Sequence, residues 1–137
     1  MIRNKIFFAC VYIFLLSLLW GCKKPAGPGG KAKIIGKIYV RDFDKYAINK
    51  ISEYYGAGES VYICYGSNAY VGNSVKSSTD GSFAFLYLNK GHYVVFANSR
   101  DTSIHINGSN KTLPVTMEFD VTGVNETVDL GDLIINK

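Results

Sequence analysis

The sequence predicts an all-β fold, a two-sheet sandwich of seven strands with one long insertion after the first strand. Three observations lead there. From Ile34 onward no helical period of apolar residues is sustained, whereas β-branched and aromatic residues alternate in short runs. Those runs are parted by Gly, Asn, Asp and Ser, which supply turn geometry. Seven such runs within about 100 residues match the strand spacing of a sandwich.

The first element precedes the fold. Met1 to Lys5 carries Arg3 and Lys5, an apolar run follows from Ile6 to Trp20 interrupted only by Ser17, and Gly21 and Cys22 close it. A positive start, an apolar stretch and a small residue before a cut make a secretory signal over residues 1–21. At about 1.5 Å per residue the run covers about 22 Å of a roughly 30 Å hydrocarbon core, so it is short for a membrane span. Without Arg3 and Lys5 the formal charge of +4 falls by two, and a nucleic-acid partner loses its main support.

Residues 22–33 have the composition of a tether. Gly and Pro disfavour packing there, and the lysines keep the segment solvated. Fully extended, residues 23–33 would reach about 36 to 40 Å.

The folded domain is expected over residues 34–137, with strands at Lys33–Arg41, Ser60–Tyr65, Ser74–Ser78, Ser82–Tyr87, His92–Ser99, Leu113–Thr122 and Thr127–Ile135. Period-2 alternation puts Ile34, Gly36, Ile38 and Val40 on the core face of the first strand, with Lys37, Tyr39 and Arg41 opposite. Val61, Ile63 and Tyr65 form the next inward set, then Phe83 with Phe85, and Tyr93 with Val95 and Ala97. Asp80-Gly81 and Lys90-Gly91 read as hairpin turns. Pro114 lacks an N–H, so the sixth strand should start near it or run along an edge.

Residues 42–58 form the insertion. Ile48, Ile51 and Tyr55 are spaced for a turn or two of amphipathic helix, against the simpler reading of a loop over the open end of the sandwich. Long loops on rigid scaffolds often carry function. Tyr46, Tyr54 and Tyr55 are therefore the candidate ligand- or partner-binding residues, since tyrosines stack on sugars and anchor protein partners.

Chemistry is sparse elsewhere. His92 and His105 lack the spacing of a metal site, and Ser77-Ser78-Thr79 has no nucleophile elbow around it. Asp42 and Asp44 offer too few oxygens for calcium by themselves. Cys64 is the one domain thiol left if Cys22 is modified, and it alternates away from the core face as a half-buried, inert side chain. No enzyme activity, metal or cofactor is expected.

Two resemblances sharpen this reading. Leu19-Trp20-Gly21-Cys22 resembles the lipobox of bacterial lipoproteins, which implies diacylglyceryl attachment at Cys22 and a membrane anchor. Lys23 and Lys24 stand where surface-exported lipoproteins of the Bacteroidetes type carry acidic residues, so the expected location is the outer membrane of a bacterial cell envelope, facing the periplasm. The domain resembles the carboxypeptidase regulatory-like domain, one of the transthyretin-like (prealbumin-like) sandwiches. The resemblance is carried by Ile35-Gly36-Lys37-Ile38, Val61-Tyr62-Ile63, Ser77 to Phe85, Leu88 to Val95 and Val128 to Ile135. It implies a non-catalytic binding or accessory module contacting another envelope protein. The alternative is a lipoprotein that binds carbohydrate or another small ligand through the tyrosines of the insertion.

Overall fold

The structure is a computed structural model that describes residues 24–67, 70–103, 105 and 111–137. Residues 1–21, expected as a secretory signal, and Cys22, expected as the lipid-attachment site, lie outside the described residues. Eight strands and no helix make up the described chain: β1 (Pro28–Phe43), β2 (Lys50–Tyr55), β3 (Ser60–Tyr65), β4 (Val71–Lys76), β5 (Ser82–Leu88), β6 (Gly91–Arg100), β7 (Thr112–Val121) and β8 (Thr127–Asn136).

One sheet is built around β1, which pairs antiparallel with β2 and β5 and parallel with β8. The other is antiparallel throughout, in the order β4-β3-β6-β7. Ile38 is the point where β1 changes partner. Its N–H donates to the Gly81 carbonyl at 2.8 Å and its carbonyl accepts from Gly56 N at 2.9 Å. Both groups of one strand residue point to the same side, so β5 and β2 lie end to end along one flank of β1 while β8 takes the other.

The core follows the alternation of the sequence. Ile34, Ile38 and Val40 of β1, Phe83 and Phe85 of β5, and Leu133 and Ile135 of β8 face Val61, Ile63, Tyr93, Val95 and Ala97 of the second sheet. Tyr65 is half-buried and meets Tyr93 edge-on, with ring centroids 6.0 Å apart. Gly36 is required by packing, because a Cβ there would stand 2.7 Å from the Phe83 ring. Pro114 sits near the start of β7, at the sheet edge, where its missing N–H costs no ladder bond.

Four expectations are corrected. The strand count is eight, because residues 50–55 pair with β1 as β2 and do not coil into a helix. Their apolar spacing does not decide this, whereas the unpaired flank of β1 offers a ladder of hydrogen bonds. Asp80-Gly81 and Lys90-Gly91 do turn the chain at positive φ, 79° and 148°, but neither closes a hairpin. Each leads from one sheet to the other, since β5 pairs with β1 while β4 and β6 flank β3. The segment expected as a tether is partly structural: β1 starts at Pro28, and Asn89 N donates to Gly27 O at 2.8 Å. Cys64 is buried, at 6% exposure, where alternation suggested a half-buried side chain.

Candidate functional site

The insertion is a hairpin. β1 runs on to Phe43, the chain reverses through residues 44–49, and β2 returns along β1 with Tyr39 opposite Tyr55, Val40 opposite Tyr54 and Arg41 opposite Glu53. Asp44 builds the reversal. Its Oδ1 accepts from Tyr46 N at 3.1 Å and Ile48 N at 2.9 Å, and its Oδ2 accepts from Asn49 Nδ2 at 2.9 Å. These bonds, led by the one from Ile48, hold the Asp44 carboxyl below its ordinary pKa. Arg100 at the end of β6 ties the loop down by donating to the carbonyls of Asp44 and Lys45 at 2.8 and 2.7 Å. With its oxygens used this way, Asp44 is a turn builder. Among the described residues no group of three His, Cys, Asp or Glu side chains could hold a metal ion.

The three candidate tyrosines are exposed, yet they do not converge. Successive strand residues face opposite sides, so Tyr54 and Tyr55 cannot share one surface. Tyr46 lies in the loop beside Lys45, whose Nζ is 4.9 Å from its ring, and its carbonyl is 3.2 Å from His105 Nδ1. Two grooves, of about 670 and about 800 Å³, open elsewhere on the surface, and neither is lined by Tyr46, Tyr54 or Tyr55.

Tyr55 has a different set of neighbours on the outer face of the β1 sheet. Tyr39 meets it edge-on at 5.4 Å between centroids, and Lys37 Nζ lies 4.8 Å above its ring. Both contacts are of the attractive aromatic kinds. Lys37 also pairs with Asp80 at 3.7 Å. Farther along the hairpin, Glu53 bridges Arg41 at 3.2 Å and Lys50 at 2.9 Å, and the Lys50 contact leads in holding its carboxyl below the ordinary range. Ile51 stands 67% exposed on β2, and Ile134 of β8 is exposed beside Tyr39.

All six residues of β2 are exposed, and among the described residues its far edge has no partner strand. Since even-numbered β1 residues direct their backbone toward β2, Ser52 and Tyr54 bond inward while the N–H and C=O groups of Glu53 and Tyr55 point outward; Ile51 is the extra residue where the register shifts between Asp42 and Phe43. Lys37 is the contributor that the tyrosine pattern does not single out; its signal is that it shares a face with Tyr39 on the first strand. The opposite sheet carries a smaller aromatic feature, Tyr62 stacked on Phe96 at 5.0 Å.

His92 Nδ1 lies 3.0 Å from Asp120 Oδ1 on the β6–β7 ladder, an exposed surface pair. Ser77 is buried and bonds only to backbone groups, so the serine-rich turn is structural.

No family model and no curated protein matches this chain. Among solved structures, a protein from Pseudomonas aeruginosa that is provisionally described as carbohydrate binding is similar at 13% identity, with a TM-score of 0.49, over 82% of this chain and 92% of that one.

Proposed function

We propose that the chain is a lipid-anchored, non-catalytic binding module of a bacterial cell envelope, with a carboxypeptidase regulatory-like sandwich that docks another envelope protein along β2. The observation that carries this reading is the open β2 edge beside the Tyr39–Tyr55–Lys37 cluster. An edge with free backbone groups accepts an added strand, and the flanking aromatic and arginine side chains are the types enriched at protein interfaces. The lipid anchor rests on the sequence around Cys22. The domain type rests on the quoted motif residues, whose glycines stand at turns and close contacts and whose aromatics Phe83, Phe85 and Tyr93 stand between the sheets.

The carboxylates give the non-catalytic reading its support. Asp44, Asp80, Asp101 and Glu126 each bind backbone N–H groups of their own turn, and each is held in its charged form by those bonds or by a neighbouring serine. Groups so engaged are poor proton carriers. A carbohydrate held jointly by Tyr46, Tyr54 and Tyr55 has weaker support, because the three side chains diverge.

A photo-reactive side chain at Ile51, tested in intact cells, should give a covalent adduct with one protein, and the same group at Thr116 on β7 should not. Equal adducts at both positions, or none at Ile51, would refute the docking edge. Cys22→Ala should release the protein from the membrane fraction; unchanged retention would refute the anchor.

A further inference from the structure

The chain enters the sandwich at one end and is pinned there. Gly27 N donates to the Tyr93 hydroxyl at 3.0 Å, and that hydroxyl donates to Asn89 O at 2.7 Å. Asn89 Nδ2 donates to Pro28 O at 3.0 Å, and Asn89 N closes on Gly27 O. Only residues 23 and 24 separate Cys22 from Pro25, so three residue steps of at most about 3.6 Å leave about 11 Å between the anchor and this end of the fold. That is close to the Debye length of about 8 Å at physiological salt. The long free tether expected from composition is absent from this geometry.

The same end has the surface that an anionic bilayer would meet. A groove of about 800 Å³ is flanked by Lys24, Lys31 and Lys90, with Val124 on its rim. Val124 is 58% exposed and Tyr87, beside Leu88 of the groove, is 70% exposed; Tyr70 in the neighbouring β3–β4 turn is 85% exposed. Tyr87 is held at φ 61°, a conformation tyrosine rarely adopts and one that strained functional positions often show. Lysines with interfacial tyrosines are the side chains that associate with anionic head groups. The acidic groups nearby are Glu126, occupied by the N–H groups of Thr122 and Gly123, and Asp120, beside His92.

We infer that this end is a membrane-docking surface for anionic lipid, with Lys24, Lys31 and Lys90 at the head groups and Tyr87 and Val124 at the interface. The inference rests on the lipid-anchor reading for its geometry. It sets the orientation of the sandwich, with the residue 44–49 loop at the end distant from the membrane.

The test uses full-length protein on phosphatidylglycerol-containing or pure phosphatidylcholine vesicles, an amine-acetylating reagent, and site-resolved mass spectrometry. Lys24, Lys31 and Lys90 should label about fivefold more slowly on the anionic vesicles, and the difference should vanish at raised salt. Lys45, Lys50 and Lys111, at the other end, should label equally on both. Lys90→Glu should return Lys24 and Lys31 to the rates seen on phosphatidylcholine. Equal labelling on both vesicles with an acyl mass on Cys22 overturns the surface and leaves the anchor. Protection without an acyl mass supports the surface and overturns the anchor. No sedimentation with either vesicle overturns both, and equal protection by inorganic phosphate alone overturns the surface in favour of a soluble anion site.

Discussion

Ser77 shows how a single hydroxyl holds two segments together. It is buried, its Oγ donates to Gly56 O at 2.5 Å, and it accepts from Glu59 N at 2.9 Å, joining the β2–β3 turn to the end of β4. Ser77→Ala strands a carbonyl and an N–H, so the urea midpoint should fall by the equivalent of about 1–3 kcal/mol. Tyr87 is the reverse case. A left-handed backbone costs about 1–2 kcal/mol for most residues and less for Asn. Tyr87→Asn should therefore raise stability by roughly 1 kcal/mol in the same measurement, while lessening the anionic-vesicle protection of Lys90. The sequence places Ser77 near the end of a strand expected over Ser74–Ser78, and β4 in fact stops at Lys76; which hydroxyl is buried does not show in that pattern. That depends on Gly56 and Glu59 arriving from another turn.

At the scale of elements, β1 is the member on which the rest depends. Its inward residues Ile34, Ile38 and Val40 were legible from period-2 alternation, since a strand buried on one face leaves that pattern regardless of its partners. Its length was not. The sequence suggested Lys33–Arg41, and the strand runs from Pro28 to Phe43 because β5, β2 and β8 together give it partners along its whole course. Ile38, fully buried where β5 hands over to β2, is the position at which a cavity weakens both contacts. Ile38→Ala should cost about 2–5 kcal/mol in equilibrium unfolding. β2 itself was hidden because all its side chains are exposed, so burial left no alternating pattern to read.

For the whole molecule, charge sets the response to acid. Asp44, Glu53, Asp80, Asp101 and Glu126 all have pKa values depressed by hydrogen bonds in the folded chain, joined at all but Asp44 by a nearby lysine or arginine. A carboxyl whose folded pKa lies below its unfolded value stabilises the fold fully above the unfolded pKa and stops doing so as pH falls through the folded one. Urea midpoints should thus be flat from neutral pH to about pH 5 and decline below about pH 4. A midpoint that rises on acidification would contradict these assignments. The two ends of the sandwich also differ in kind. One has the pinned entry of the chain with its lysines, the other the Asp44 loop tied to Arg100.

The sequence by itself determined the all-β class, the inward residues of β1, β3, β5 and β6, and the places where glycine turns the chain. Each of these follows from local sterics and from which side of a strand meets water. Only the tertiary structure decided which strands pair, that the aspartate and lysine turns cross between sheets, that β2 exists, and that Tyr46, Tyr54 and Tyr55 part company while Tyr55 joins Tyr39 and Lys37. Those outcomes depend on contacts between residues far apart in the chain, and a local pattern records a residue's need for a partner without recording the partner.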